Sequence, residues 1–180
     1  MDRNDVRLSR RLSYVLRHDP ASAGLTLDPG GWVPVASLLR ALGIDRSRLD
    51  EVVAGNDKQR FAIAVDGDGV ERIRANQGHS VAVDLGLAPV EPPAVLYHGT
   101  SAASVDAILA EGLTRRARHH VHLSADMATA RAVGSRRRGT LVVFEVDAGA
   151  MAAAGHVFHR SANGVWLTEA VPARFLRVLA

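Results

Sequence analysis

The stretch Phe61-Ala-Ile-Ala-Val-Asp-Gly-Asp-Gly-Val-Glu-Arg-Ile-Arg74 decides how the first half of this chain is read. Phe61 to Val65 and Val70 to Arg74 are short runs rich in apolar and β-branched residues, and Asp66-Gly67-Asp68-Gly69 stands between them. Asp-Gly in that setting is a strong hairpin signal, because glycine reaches the positive φ of a tight turn without a steric penalty. Upstream, Leu8, Leu12, Val15 and Leu16 recur at helical spacing and predict an amphipathic helix over Val6 to Arg17. Asp19-Pro20 ends it, since proline disfavours helix in the residue before it, and this leaves Arg17 and His18 at the helix C-terminus. Pro34 opens a second helix running through Leu42 with Gly43 as its stop, and Asp45 caps a third that runs to about Ala54. Three helices followed by a hairpin make a winged-helix pattern, with Arg74 at the end of the second hairpin strand.

The composition changes over Leu87 to Pro93, where Ala-Pro-Val-Glu-Pro-Pro has neither helical nor strand period and reads as a linker. Two lobes are therefore expected, residues 1–86 and 94–180. In the second, Ala94 to Tyr97 reads as a strand and Ser104 to Glu111 as a helix stopped by Gly112. Val121 to Leu123 is a short strand, after which Ser124 can cap a helix from Ala125 to about Val133. Thr140 to Val146 is a continuous apolar strand, Ala148 to Ala154 a short helix, and Val165 to Leu167 and Phe175 to Leu179 are further strands. The fold class is α+β, the second lobe being mixed α/β with polar residues gathered at strand ends.

With 180 residues, 47% of them hydrophobic and 23% charged, the chain can bury a real core. There is no cysteine, which excludes disulfides, thiolate nucleophiles and cysteine-ligated metal. Aromatics at 4% leave few stacking platforms for single-stranded bases. Met1 to Arg11 is charged and unlike a secretory signal, and no apolar run could span a bilayer, so a cytoplasmic protein with no membrane partner is expected. The net charge of +3 arises wholly in residues 91–180, with 10 basic against 7 acidic, whereas residues 1–90 carry 12 of each. Bulk charge thus argues only weakly for nucleic acid, and any phosphate site must be local.

Local sites are what the motifs supply. Leu16-Arg-His-Asp-Pro20 and Arg74-Ala-Asn-Gln-Gly-His-Ser80 bring arginines and histidines together with small polar residues. Arginine offers a permanently charged planar fork, and histidine can move a proton near neutral pH, which is what a phosphate-handling site requires. Arg17-His18 alone also fits an ordinary basic helix end, but the second stretch contains nothing large and apolar and is poor core material. Tyr97-His98-Gly99-Thr100 reads as a strand end where glycine lets a ligand come close while two side chains hydrogen-bond it. Arg136-Arg137-Arg138 fits a solvated face with one member turned into a cleft. His119, His120 and His122 invite a metal reading, but no Cys, carboxylate partner or His-Glu-x-x-His supports it, and no metal is expected. Gly-x-Gly-x-x-Gly and P-loop patterns are absent, which argues against those nucleotide sites.

In this order the motifs resemble those of the RNA 2′-phosphotransferase family, NAD-dependent enzymes that remove an internal 2′-phosphate from RNA. The likeness runs through Leu8-Ser-Arg-Arg-Leu-Ser-Tyr-Val-Leu-Arg-His18, Gly31-Trp32-Val33 and Ile73-Arg-Ala-Asn-Gln-Gly-His-Ser80 to Leu96-Tyr-His-Gly-Thr100. It continues in His120-Val-His-Leu-Ser124, Val133-Gly-Ser-Arg136 and Phe158-His-Arg-Ser-Ala-Asn-Gly-Val-Trp-Leu-Thr168. It implies an N-terminal winged-helix RNA-binding lobe and a C-terminal ADP-ribosyltransferase-like NAD-binding lobe. It also implies a catalytic tetrad of Arg17, His18, Arg74 and Arg136, a local shift of alignment selecting Arg137 for the fourth place. The NAD pocket would comprise His98, His122 and Val165, with Gly99, Thr100, Ser124 and Asn163 as neighbours.

The implied reaction has two steps. The 2′-phosphate of a tRNA-like RNA attacks the nicotinamide ribose of NAD and releases nicotinamide, giving 2′-phospho-ADP-ribosylated RNA. Transesterification then yields 2′-hydroxyl RNA and ADP-ribose 1″,2″-cyclic phosphate. No obligate protein partner is called for. Two other readings stay open: an ADP-ribosyltransferase that caps terminal phosphates of RNA or DNA, and a non-enzymatic winged-helix regulator that binds nucleic acid.

Overall fold

The computed structural model describes residues 3–56, 58–136 and 139–179. The chain forms two compact units, Met1–Gly86 and Leu87–Ala180, and is of mixed α+β construction. Among the described residues no helix is long and apolar enough to cross a membrane.

In the first unit, α1 spans Arg3–Arg17, one turn longer at its start than the apolar spacing predicts. The added turn is polar and is held from outside: Asp5 meets Arg48 at 2.6 Å. A 3₁₀ turn, Pro20–Ala23, follows, its N-cap Asp19 accepting from the Ser22 N–H. The short strand β1, Val33–Pro34, precedes α2, Val35–Leu42. Pro34 thus caps α2 from outside instead of being its first residue, because it pairs with Arg72 across the sheet. In α3, Arg46–Ala54, the Asp45 carboxylate accepts from the Arg48 N–H as expected of that cap. The strands β2, Phe61–Val65, and β3, Glu71–Ala75, pair antiparallel, and the sheet order is β1-β3-β2.

The hairpin loop is longer than a two-residue turn. Val65 pairs with Glu71, and the Asp66 carboxylate accepts from the N–H groups of Asp68 and Val70 and from Arg72. Leu12 and Leu16 of α1, Leu38 of α2, Leu49 and Val52 of α3 and Ile73 of β3 close over one core. Burying side chains of this kind contributes about 1.5–3 kcal/mol each.

In the second unit, Pro89 bridges to His159 and the Val90 N–H donates to the Phe158 carbonyl, so the proline-rich stretch runs hydrogen-bonded along a strand. Next come β4, Val95–Ser101, and α4, Val105–Glu111, followed by the short strands β5, Leu113–Thr114, and β6, Val121–Leu123. Then α5, Met127–Gly134, leads to β7, Leu141–Asp147, α6, Ala148–Ala153, and the strands β8, Phe158–Arg160, and β9, Trp166–Thr168. The chain closes with β10, Ala170–Val171, and β11, Leu176–Leu179. Three antiparallel sheets result, ordered β11-β7-β4, β6-β9-β8 and β10-β5. A reciprocal pair of main-chain hydrogen bonds between Tyr97 and Ser124 joins β4 to the end of β6. Phe144, Leu96, Met151, Phe158 and Trp166 fill the core around this junction.

Two expectations change here. β4 does not stop at Tyr97 but continues to Ser101, so His98, Gly99 and Thr100 lie within a paired strand and not beyond its end. The cap of α5 is Asp126, whose carboxylate accepts from the N–H and hydroxyl of Thr129, and Ser124 instead serves the bridge to Tyr97.

Candidate active site

In the first unit the two basic motifs meet at the C-terminus of α1. The Arg17 carbonyl, left without an intrahelical partner by the end of the helix, accepts from the N–H groups of Ser80 at 2.9 Å and Val81 at 3.3 Å. The stretch after β3 is thereby pinned to the helix end. His18 Nδ1 then lies 2.9 Å from the Ser80 hydroxyl, which orients the imidazole.

Arg74 occupies β3, opposite Ala62. Its Nη1 donates to the Gly30 carbonyl at 3.2 Å, and its guanidinium lies 4.5 Å from the centre of the Trp32 ring. The loop carrying these two contacts is fixed by Asp28, whose carboxylate accepts from the N–H groups of Gly30 and Trp32. Burial holds the Arg74 guanidinium below the ordinary arginine value, and the Asp28 carboxylate opposes that shift. Gly31 sits in the left-handed region at φ +81°, and a Cβ there would come 3.4 Å from Nε2 of the buried His79. Nothing in composition or spacing singles out Trp32, Asp28 or Ser80 as supports; only the register of β1 on β3 and the pinned loop reveal them.

In the second unit, His98, Thr100 and His122 line a cavity of about 270 Å³ together with Ser104, Glu111 and the segment Leu113–Arg118. Thr100 is 1% exposed, and its hydroxyl is buried without a hydrogen-bond partner. A buried hydroxyl in that condition costs roughly 1–3 kcal/mol until a ligand or water satisfies it. His98 Nδ1 donates to the main-chain carbonyl of His122 at 3.1 Å, and Arg118 donates to His122 Nδ1 at 2.8 Å. Arg115, Arg116 and Arg118 give the cavity three cations that the sequence reading did not single out.

The other expected NAD contacts lie elsewhere in this unit. Gly99 is required by packing: a Cβ there would fall 1.9 Å from the Ala130 carbonyl oxygen, so the missing side chain makes room for α5. Asn163 and Val165 belong to the β8–β9 turn, where the Ser161 hydroxyl contacts Asn163 Oδ1 and accepts from the Val165 N–H. Arg136 follows α5, with its side chain exposed. Arg137 and Arg138 lie outside the described residues.

His119 and His120 face a second cavity, of about 400 Å³, with His156, His159 and Glu169. Burial, and then the charges of His159 and His119, push the His120 imidazole below its ordinary pKa. Among the described residues no three His, Cys, Asp or Glu side chains are arranged to hold a metal ion.

The sequence pattern of the RNA 2′-phosphotransferase, Tpt1 / KptA family matches residues 3–170, which include both basic motifs and the His98 cavity. The chain belongs to this family. Its relatives include proteins named "Probable RNA 2′-phosphotransferase" from three bacterial genera. The Streptomyces griseus protein is 59% identical over 184 aligned residues, covering 97% of each chain. The Rhizobium leguminosarum protein is 53% identical over 96% of this chain and 93% of its own, and the Pseudomonas aeruginosa protein 52% identical over 98% and 99%. Each likeness spans both units.

Proposed function

We propose that this chain removes an internal 2′-phosphate from RNA with consumption of NAD, acting on tRNA-like substrates in the cytoplasm. The observation that carries the reading is the junction of the two basic motifs, in which Ser80 orients His18 while Trp32 and Gly30 hold the Arg74 guanidinium. Membership in the family supplies the reaction class. On this reading the first unit is a winged-helix lobe and the second an ADP-ribosyltransferase-like lobe.

The cavity of the second unit fits a dinucleotide by its chemistry. Arg115 and Arg116 suit a diphosphate, while His98, His122 and the unsatisfied Thr100 hydroxyl suit neutral polar groups. NAD contributes an anomeric carbon made electrophilic by departure of nicotinamide, and nicotinamide leaves as a neutral ring that needs little acid catalysis. The residues around it bind, orient and exclude water. Val165, with Gly99, Ser124 and Asn163 as neighbours, completes the NAD-binding region of this lobe.

The RNA 2′-phosphate oxygen forms the new bond to the anomeric carbon as the bond to nicotinamide breaks. The adjacent ribose 2″-oxygen then bonds to phosphorus as the RNA 2′-oxygen leaves, giving 2′-hydroxyl RNA and ADP-ribose 1″,2″-cyclic phosphate. The second step gathers negative charge on phosphoryl oxygens and moves one proton from the attacking hydroxyl toward the leaving oxygen. Arg17, Arg74 and Arg136 are assigned to the charge and His18 to the proton.

Single-turnover assays with a 2′-phosphorylated RNA test this division of labour. His18→Ala and Arg74→Ala should slow the second step by about 10²–10³ while leaving the first much less affected, so that ADP-ribosylated RNA accumulates. Turnover of that intermediate at the wild-type rate by either variant would sink the assignment.

A further inference from the structure

We propose that Arg118 is a positioning residue of the cavity in the second unit: it fixes His122 as the Nε2–H tautomer, so that the cavity wall carries one imidazole donor, His122, and one imidazole acceptor, His98. What the cavity binds rests on the NAD reading above, whereas the tautomers rest on the hydrogen bonds alone.

Arg118 Nη1 lies 2.8 Å from His122 Nδ1. A guanidinium has five N–H groups and no acceptor, so His122 Nδ1 must accept with its lone pair. A neutral imidazole has one N–H, and for His122 it is therefore on Nε2. The neighbouring ring is constrained in the opposite sense. His98 Nδ1 lies 3.1 Å from the His122 main-chain carbonyl, which can only accept. His98 Nδ1 therefore carries the hydrogen, and the Nε2 of the neutral ring keeps its lone pair. Both rings line the same cavity.

The backbone around Arg118 adds an independent sign. Arg118 returns toward β6 through a turn closed by its own N–H on the Arg115 carbonyl at 3.0 Å. That turn places Arg116 at φ +52°, in the left-handed region that non-glycine residues seldom occupy. Backbone held in this region persists where the surroundings require it, and here it delivers the guanidinium to His122.

The two rings thus present opposite hydrogen-bonding senses at the cavity they line. Losing one neutral hydrogen bond of the pair corresponds to about a 2- to 12-fold loss of affinity.

The first measurement is the imidazole ¹⁵N pattern of His122 in the full chain without NAD, above pH 8, by long-range ¹H–¹⁵N correlation. The wild type and Arg118→Lys should show the proton on Nε2, and Arg118→Ala a mixture of tautomers. A proton on Nδ1 in the wild type, or an Nε2–H pattern that Arg118→Ala leaves unchanged, overturns the proposal. The second is a double-mutant cycle on the KM for NAD. Arg118→Ala should raise KM about 2- to 12-fold with kcat within about twofold, Lys should restore it, and Arg118→Ala should add nothing in a His122→Ala background. Additive effects would mean that Arg118 acts on the ligand directly and would overturn the proposal. Should the wild type consume no NAD at all, the NAD reading fails, and the ¹⁵N pattern still decides the tautomer.

Discussion

Replacing Gly99 with alanine puts the packing of β4 against α5 to a quantitative test. The new Cβ would lie 1.9 Å from the Ala130 carbonyl oxygen, 2.8 Å from its carbonyl carbon and 3.1 Å from the Gly134 Cα. All three obstacles are backbone, so no side chain can swing aside. To reach even 3.0 Å, strand and helix must separate by about 1.1 Å, and interiors packed as densely as crystals resist such a shift. Overpacking costs typically 1–3 kcal/mol, and an obstacle made wholly of α5 backbone places this substitution at about 3 kcal/mol. For a unit of this size each kcal/mol lowers Tm by about 4–8 °C, so a fall of about 12–24 °C is expected in calorimetry or near-UV circular dichroism. Gly67→Ala is the control: it has nothing within 4 Å and no positive φ, and should leave Tm within about 2 °C. A Gly99→Ala protein melting with the wild type would refute the claim that α5 requires this glycine.

Trp32→Ala removes the ring under the Arg74 guanidinium, a cation–π contact of about 0.5–2 kcal/mol, and should slow the second step about 2- to 30-fold, with Trp32→Phe retaining most of the rate in a single-turnover assay. Arg74→Lys should be a poor substitute for arginine, because a lysine cannot both lie flat on Trp32 and present a planar fork; recovery of more than half the wild-type rate would contradict this. His120 is held below its ordinary pKa by burial and by neighbouring cations. Folding therefore favours its neutral form, and the stability linked to it is complete above the unfolded value of about 6.5 and declines as pH falls below it. His120→Gln should flatten the dependence of Tm on pH between about 7 and 5, and a variant as acid-sensitive as the wild type would exclude this origin.

How far the sequence could be read depended on whether the deciding information was local. The helix at Leu8–Leu16, the Asp45 cap and the Asp-Gly hairpin were legible because spacing, a capping side chain and turn chemistry are properties of a few consecutive residues. β1, β5, β8 and β10 escaped, since strands of two or three residues have no period of their own and exist by pairing with distant partners. The extent of β4 was underestimated for the same reason: His98-Gly99-Thr100 looks like a polar strand end, but β7 supplies partners out to Leu141. At the site, the arginines and histidines of the two basic motifs stood out as residue types. Their supports did not, because Ser80 on His18 and Trp32 on Arg74 are contacts across 62 and 42 positions of chain. For Gly99, only three-dimensional packing shows that the missing Cβ faces α5.

The central claim is tested most directly by incubating the protein with NAD and a short RNA bearing one internal 2′-phosphate, then identifying the products by mass. RNA lighter by one phosphate is expected, with nicotinamide and ADP-ribose cyclic phosphate in equal amounts. RNA that keeps its phosphate and consumes no NAD would contradict it.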